Sequence, residues 1–161
     1  MTTYVTYYSE TGNTEKIAKG IFDGVEKEEK ELVKLSDIDS SKLEGSDLVF
    51  IGFPVHAGGL PKDVKSFMKG ASSIKNVAIF CTHSSPREMK MVDGAIKAAE
   101  KIFKGNNSEI VGNFDCFGSV NVDSLLKMPM IKQSEEFWKN RPNDDDLKNA
   151  KDFGREISSK I

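Results

Sequence analysis

The chain has 161 residues, with 23 Lys and Arg against 25 Asp and Glu and a formal net charge of −2. This length suffices for one domain with its own core, and the near balance of charge argues against a strong field toward nucleic acid or an anionic membrane. The longest apolar run, Leu48 to Val55, is too short to span a bilayer, and no basic segment followed by an apolar stretch opens the chain. We therefore expect a single domain over residues 1–161 of a soluble, cytoplasmic, monomeric protein that binds neither nucleic acid nor membrane.

The first predicted element is the strand Tyr4–Tyr8, and a polar hexapeptide without a basic side chain follows it. The hexapeptide consists of Ser9, Glu10, Thr11, Gly12, Asn13 and Thr14. Its glycine allows the backbone to fold tightly enough for successive N–H groups to converge on one anion, and the helix that follows adds its positive N-terminal end. The pattern predicts a phosphate-binding loop, and the alternative is a turn that only caps the helix.

Two nucleotide-binding patterns are absent from this loop. It lacks the Gly-Lys-Ser/Thr ending of a P-loop and the three spaced glycines of the dinucleotide fingerprint. The loop does match Ser/Thr-x-Thr-Gly-x-Thr at the end of a first strand, which is the phosphate-loop signature of flavodoxins, so the chain resembles a flavodoxin. The resemblance implies flavin mononucleotide (FMN) as the cofactor, with Ser9, Thr11, Asn13 and Thr14 donating to its phosphate.

Strands and helices alternate along the rest of the chain. Apolar residues at helical spacing predict helices over the stripes Ile17–Val25, Leu60–Met68 and Val92–Phe103. Leu32–Leu35 is a short predicted strand, while Leu48–Gly52 and Val77–Cys81 are apolar on both faces, as buried parallel strands are. A fifth strand is predicted at Ile110–Phe117. The last helix should begin after Pro142, with Asn143 as its N-cap.

Five strands alternating with helices predict an α/β fold with an open, doubly wound sheet. The resemblance implies a flavodoxin-like sheet of five parallel strands in the order 2-1-3-4-5 with helices on both faces, an order for which flavodoxin is itself the reference example. The loops after the first, third and fourth strands would then meet around one ligand.

The loop after the third strand is rich in Gly and Pro, as is typical of backbone that approaches a ligand closely. By the resemblance this loop lies against the isoalloxazine ring. The peptide of Gly58 would turn over on reduction and offer a carbonyl to the protonated flavin N5. The predicted cofactor-binding residues of this loop are Pro54, Val55, His56, Ala57 and Gly58.

The loop predicted after the fourth strand contributes Thr82, His83 and Ser84 to the cofactor site, and a solvated turn is the alternative. Flavodoxins usually place an aromatic ring in one or both flavin loops, and here His56 and His83, the only histidines, take those positions. A histidine offers a smaller stacking face that can become charged near neutral pH, so the usual bias against the anionic, fully reduced flavin would be weaker. A metal site on the two histidines is disfavoured because no third ligand has suitable spacing.

Two further features leave alternatives open. Cys81 and Cys116 lack metal or redox spacing, so we expect buried, reduced thiols, although both lie in strands that would be neighbours and a disulfide remains an alternative. The connection Ser119–Arg141 is long and contains the only Trp. It forms either a lid or partner-docking surface, or a satellite apolar cluster over the edge strand.

The leading functional hypothesis is an FMN-binding, low-potential carrier of single electrons between redox partner proteins. Such a carrier is not an enzyme and needs no catalytic residue, and we find no nucleophile elbow and no paired catalytic carboxylates. The near balance of charge departs from the strong acidity of many flavodoxins. The main alternative is an FMN-dependent NAD(P)H:quinone or flavin reductase of the same fold. A phosphorylated signalling receiver is disfavoured because Gly52-Phe53-Pro54 stands where its Asp would be required.

Overall fold

A computed structural model describes residues 2–56 and 59–161 of the chain. Its strands are β1 (Thr3–Tyr7), β2 (Lys30–Lys34), β3 (Leu48–Pro54), β4 (Asn76–His83) and β5 (Glu109–Phe117). They form one parallel sheet in the order β2-β1-β3-β4-β5. This order confirms the predicted doubly wound α/β sheet with strand order 2-1-3-4-5.

Helices follow the strands along the chain. They are α1 (Asn13–Gly24), α2 (Lys62–Gly70), α3 (Met91–Gly105), α4 (Asp123–Leu126), α5 (Pro129–Gln133), α6 (Glu135–Trp138) and α7 (Asp144–Ser159). Short 3₁₀ turns lie at Leu35–Asp37, Ser40–Leu43 and Arg87–Met89. Within residues 2–56 and 59–161, no helix combines the length and the apolar character that crossing a bilayer requires.

Each face of the sheet buries its own apolar cluster beneath a pair of helices. The cluster beneath α2 and α3 includes Ile51, Phe53, Met68, Ile79 and Phe103. The cluster beneath α1 and α7 includes Val5, Ile17, Phe50, Phe80 and Ile157. Because successive side chains of a strand point to opposite faces, the uninterrupted apolar run of β3 supplies both clusters.

Helices α1 and α7 cross at two glycines. A Cβ atom on Gly154 would overlap the carbonyl oxygen of Ile21, and one on Gly24 would overlap the carbonyl oxygen of Lys151. The two backbones therefore approach more closely than any other residue would allow. This contact sets the position of α1, whose N-terminus carries the predicted phosphate loop.

The last helix begins where the sequence predicts. The Asn143 side chain accepts a hydrogen bond from the Asp146 backbone N–H at 3.0 Å, and the Asp146 carboxylate accepts one from the Asn143 N–H at 2.8 Å. These reciprocal bonds form a capping box and satisfy two N–H groups of the helix terminus. The predicted N-cap is confirmed.

The predicted end of the fourth strand was wrong. The polar residues Thr82 and His83 were assigned to a loop, but β4 continues through both. Thr82 is paired with Pro54 of β3 and Cys116 of β5, and His83 with Phe117. Pairing with neighbouring strands holds these residues in the sheet and outweighs their polar character.

Cys81 and Cys116 lie on neighbouring strands but on opposite faces of the sheet. Cys81 belongs to the cluster beneath α2 and α3, and Cys116 to the cluster beneath α1 and α7. In the β4–β5 register Cys116 stands opposite Thr82, one residue beyond Cys81. The two thiols therefore point away from each other and are not joined by a disulfide. Burial, followed by the nearby charge of Asp146, raises the pKa of Cys116.

Candidate functional site

A cleft opens at the carboxyl ends of the central strands. The predicted site residues that line it are Ser9, Glu10, Thr11, Asn13, Thr14, Pro54, Val55, His56, Thr82, His83 and Ser84. Gly12 shapes the first loop without lining the cleft. Ala57 and Gly58 lie outside the described residues, so the rotation of the Gly58 peptide stays a prediction.

The loop after β1 closes directly onto the start of α1. Gly12 has a φ of 96°, which L residues with side chains rarely adopt, and its N–H donates to Ser9 Oγ at 3.1 Å. The Gly12 carbonyl accepts the first α1 hydrogen bond, from Lys16 N–H. Across residues 2–56 and 59–161, the backbone N–H groups of Asn13 and Thr14 have no hydrogen-bond partner. The turn thus presents unpaired donors at the positive end of a helix dipole.

A buried pair of hydroxyl groups ties this loop to β4. Thr14 Oγ1 lies 2.8 Å from Thr82 Oγ1, and both side chains are almost fully buried. One hydroxyl donates its hydrogen to the other. The accepting hydroxyl keeps its own hydrogen, which is free to reach an acceptor in the cleft. If Thr82 donates, the Thr14 hydroxyl is oriented as a donor at the phosphate loop.

The mouth of the cleft is bridged by Glu10 and His56. His56 Nε2 lies 2.8 Å from the Glu10 carboxylate, and Tyr8 Oη donates to the same carboxylate oxygen at 3.3 Å. The two side chains are 50% and 45% exposed, so the pair adds little to stability, although it links the loops after β1 and β3. His56 and Gly59 exchange backbone hydrogen bonds of 3.0 and 2.7 Å, which hold these two residues of the second loop together.

His83 lines the cleft, but it does not offer the open stacking face that the sequence suggested. Its side chain is 1% exposed, with Nδ1 2.8 Å from the Ser85 carbonyl oxygen and Nε2 2.8 Å from Asp115 Oδ2. The ring packs against Phe117 with 4.6 Å between centroids. The β4–β5 register explains this placement, because His83 stands opposite Phe117 and diagonal to Asp115 on the same face.

One wall of the cleft was missed by the sequence analysis. It is formed by residues 118–122 and by Leu125, which follow β5. Asn13 Nδ2 donates to the Ser119 carbonyl at 2.8 Å, and a Cβ atom on Gly118 would come within 2.7 Å of that Nδ2. The only feature of the sequence that could have indicated this wall was the length of the connection after β5. The Asn13–Ser119 hydrogen bond joins residues 106 positions apart, so no local motif records it.

The 119–141 connection contains the satellite apolar cluster that was one of its two predicted alternatives, and a role as a lid or docking surface stays a prediction. Its inner side is a satellite cluster, since Ile131 and Trp138 are buried and Trp138 Nε1 donates to the Ile131 carbonyl at 2.9 Å. Ser134 Oγ attaches the segment to the Ser84 carbonyl at 3.1 Å. Its outer side carries the exposed apolar side chains of Val122, Leu125, Met128 and Phe137. We call these four residues the apolar rim.

No candidate metal site is present in the described part of the chain. No group of three or more His, Cys, Asp or Glu side chains there is arranged to hold a metal ion. The donors that converge on the cleft are the hydroxyl and backbone N–H groups of the loop after β1.

Comparison with known proteins agrees with the architecture. The flavodoxin domain family model matches residues 4–155. The flavodoxin-like domain-containing protein BilS of Clostridioides difficile strain CD3 is 32% identical over 122 residues, or 74% of this chain and 68% of BilS. An uncharacterized protein of Methanocaldococcus jannaschii is 32% identical over 146 residues, covering 90% of this chain and 89% of that protein.

Solved structures share the fold at lower identity. Oxidised flavodoxin 1 from Bacillus cereus aligns with a TM-score of 0.74 and 18% identity, over 100% of this chain and 99% of that one. The oxidised flavodoxin 2 of the same organism gives a TM-score of 0.68 and 19% identity over the full length of both chains. The match to the family model and the shared fold lead to one conclusion: the chain belongs to the flavodoxin domain family.

Proposed function

We propose that this protein binds FMN in the cleft and carries single electrons at low potential between redox partner proteins in the cytoplasm. The observation that carries the proposal is the geometry of residues 9–14. Hydroxyl groups and unpaired backbone N–H groups meet at the N-terminus of α1, where a phosphate is stabilised without a basic side chain. Membership of the flavodoxin domain family supports FMN as the group that carries this phosphate.

FMN supplies the one-electron chemistry when it is bound, and the chain binds and orients it. The hydroxyls of Ser9, Thr11 and Thr14 are placed to donate to the phosphate, and Thr82 orients Thr14 from behind. The loops after β3 and β4 face the rest of the cleft and would hold the flavin ring.

The apolar rim is where we expect a redox partner protein to dock. Val122 and Leu125 both line the cleft and remain exposed, so the rim is continuous with the cofactor site. A protein bound over these side chains would bury apolar surface and come close to the flavin, as electron transfer requires. The formal net charge of −2 adds little steering, which favours apolar contact over charge as the basis of docking.

An FMN-dependent NAD(P)H:quinone or flavin reductase is the second candidate. The observation in its favour is the apolar lining of Val120, Val122 and Leu125, which an organic acceptor could contact. The carrier remains the better proposal because the chain belongs to the flavodoxin domain family. A reductase would also have to seat a nicotinamide donor and an acceptor.

A stepwise anaerobic reduction of the FMN-loaded protein tests the proposal. For a carrier we expect the long-wavelength absorption of one-electron-reduced, neutral flavin to accumulate midway through the titration. We also expect negligible steady-state turnover with NADH or NADPH and a quinone. Direct passage from oxidised to fully reduced flavin, with rapid turnover in that assay, would replace the carrier by the reductase. Failure of the protein to bind FMN would overturn both candidates.

A further inference from the structure

His83 is a buried ionisable side chain at the cleft, and both of its ring nitrogens face acceptors. Nδ1 lies 2.8 Å from the Ser85 carbonyl oxygen, and Nε2 lies 2.8 Å from Asp115 Oδ2. A carbonyl oxygen can only accept a hydrogen bond, and so can an ionised carboxylate. Both nitrogens must therefore donate if Asp115 is ionised, and an imidazole that donates from both nitrogens is a cation.

The positive end of this pair lies at the cofactor site. His83 lines the cleft, whereas Asp115 does not and is partly exposed, with 26% of its side chain accessible. A charge in the cleft interacts more strongly with His83 than with Asp115, because His83 is the nearer of the two. Because the His83 ring is buried, solvent screens this interaction less than it would screen a surface pair.

Among the side chains that the structure describes around His83, those of Arg141, Cys116 and Glu10 are paired or neutral. The Arg141 guanidinium lies 5.6 Å from the centroid of the Phe117 ring and forms an ion pair with Asp146. Cys116 points to the opposite face, and burial raises its pKa, so this thiol stays neutral. On β4 the adjoining residues Thr82 and Ser84 carry no charge. Glu10 lies at the mouth of the cleft in contact with His56.

We propose that His83 is a buried imidazolium, held in place by Asp115, that stabilises the negative charge gained by FMN on full reduction. The inference rests on the proposed binding of FMN in this cleft. Bound FMN would supply one-electron chemistry with redox partner proteins as the electron donors, and the fully reduced cofactor would carry a negative charge unless it took up a second proton. A fixed positive charge beside the cleft would favour that negative charge. It would hold the second potential of this low-potential carrier above the value that the same site would have without the charge. His83 thus acts as a positioning and electrostatic residue.

The protonation of His83 can be measured in the FMN-free protein. His56→Gln leaves His83 as the only histidine, so nitrogen NMR of the ring at neutral pH reports on it alone. We expect both ring nitrogens to carry protons, with hydrogen exchange slowed by burial. Asp115→Asn should remove one of the two protons at the same pH. A ring with a single protonated nitrogen in the His56→Gln protein would overturn the proposal, because the pair would then be a neutral imidazole and a protonated carboxyl.

The electrostatic effect is measured as the two one-electron potentials of the FMN-loaded protein. We expect His83→Gln to weaken the binding of fully reduced FMN at least tenfold relative to the half-reduced form, which lowers the second potential by about 59 mV. Asp115→Asn, which removes the charge by a different route, should lower it in the same direction. The matched control Asn113→Ala changes an exposed residue of β5 and should leave both potentials unchanged. Thermal unfolding verifies that each variant is folded.

The outcomes separate this inference from the proposed function. If FMN binds and the second potential is the same in the parent protein and in both variants, the role of His83 is wrong and FMN binding stands. If the parent protein does not bind FMN, both the proposed function and the role of His83 toward reduced FMN are overturned. A second potential that falls in both variants, with doubly protonated His83, supports the proposal.

Discussion

The two walls of the cleft are built in different ways. One wall, which we call the phosphate wall for its proposed role, is the continuous hexapeptide of residues 9–14. Its internal hydrogen bond joins Gly12 N–H to Ser9 Oγ, only three residues away. The facing wall is formed by His83 and residues 118–122. His83 contacts Asp115, 32 residues away, and the Ser119 carbonyl accepts a hydrogen bond from Asn13, 106 residues away. A wall made from local backbone geometry can be identified from a motif. A wall made by strand pairing depends on contacts that no short stretch of sequence encodes.

The largest expected effect comes from removing hydroxyls from the phosphate wall. Thr11→Ala combined with Thr14→Ala should weaken FMN binding by about 3–6 kcal/mol, since each charge-assisted hydrogen bond contributes roughly 1.5–3 kcal/mol. Quenching of flavin fluorescence on titration with the protein measures the affinity. Thr11→Ser with Thr14→Ser is the matched control, because it keeps both hydroxyls and should retain most of the affinity. Unchanged affinity in the alanine double variant would mean that the phosphate binds elsewhere.

A second prediction concerns the anchor of the facing wall. Trp138 is buried and donates to the Ile131 carbonyl, so Trp138→Ala should destabilise its surroundings by about 3–5 kcal/mol. We expect the loss to be confined to α4, α5 and α6, which are attached to the sheet by few contacts. Hydrogen exchange followed by mass spectrometry should then accelerate across residues 122–139 while the sheet amides stay protected.

The neighbouring variant Lys139→Ala serves as the control for that measurement. Lys139 is exposed, and its contact with Glu135 is a surface ion pair at 3.9 Å, so its removal should leave the exchange pattern almost unchanged. FMN affinity should fall less in Trp138→Ala than in the threonine double variant. Faster exchange throughout the sheet of Trp138→Ala would show instead that the connection and the sheet unfold as one unit.

The same contrast explains what could be predicted from the sequence. The doubly wound sheet followed from runs such as Leu48–Gly52, which are apolar on both faces because helices cover the sheet on both sides. The strand order was implied only by the resemblance to flavodoxins. The cap of α7 followed from Asn143 and Asp146, whose bonds are local. The end of β4 did not follow, because Thr82 and His83 are polar residues held in the sheet by their neighbours on β3 and β5. Local composition carries no record of that pairing.

The residues of the candidate site show the same difference between local and long-range contacts. Residues 9–14 and the loop after β3 were identified because Gly, Pro and hydroxyl residues cluster there in sequence. The contribution of residues 118–122 was missed, and so was the partner of His83, since Asp115 lies within a predicted strand. Its alignment with His83 depends on the β4–β5 register, which contains an irregularity at Val77 and Ala78. A register of this kind is known only once the sheet is assembled.

The smallest expected effect lies where the two walls meet. Asn13→Ala removes the hydrogen bond to the Ser119 carbonyl and should cost about 0.5–1.5 kcal/mol of stability. Gly118→Ala should disturb the same bond from the other side, because its added Cβ would crowd Asn13 Nδ2. Both variants should accelerate amide exchange at residues 119–122, whereas Asn113→Ala, an exposed change on β5, should not.

Combining the two substitutions tests whether they act through one contact. If the Asn13–Ser119 bond is the only link that both disturb, the double variant should be little less stable than the worse single variant, because coupled substitutions are not additive. Chemical denaturation of the four proteins gives this coupling free energy. Additive losses would mean that Gly118 is required for its own packing against the loop and that the walls are held together by more than one contact. The phosphate wall would then depend on the distant segment for its shape, and the motif alone would not suffice to form the site.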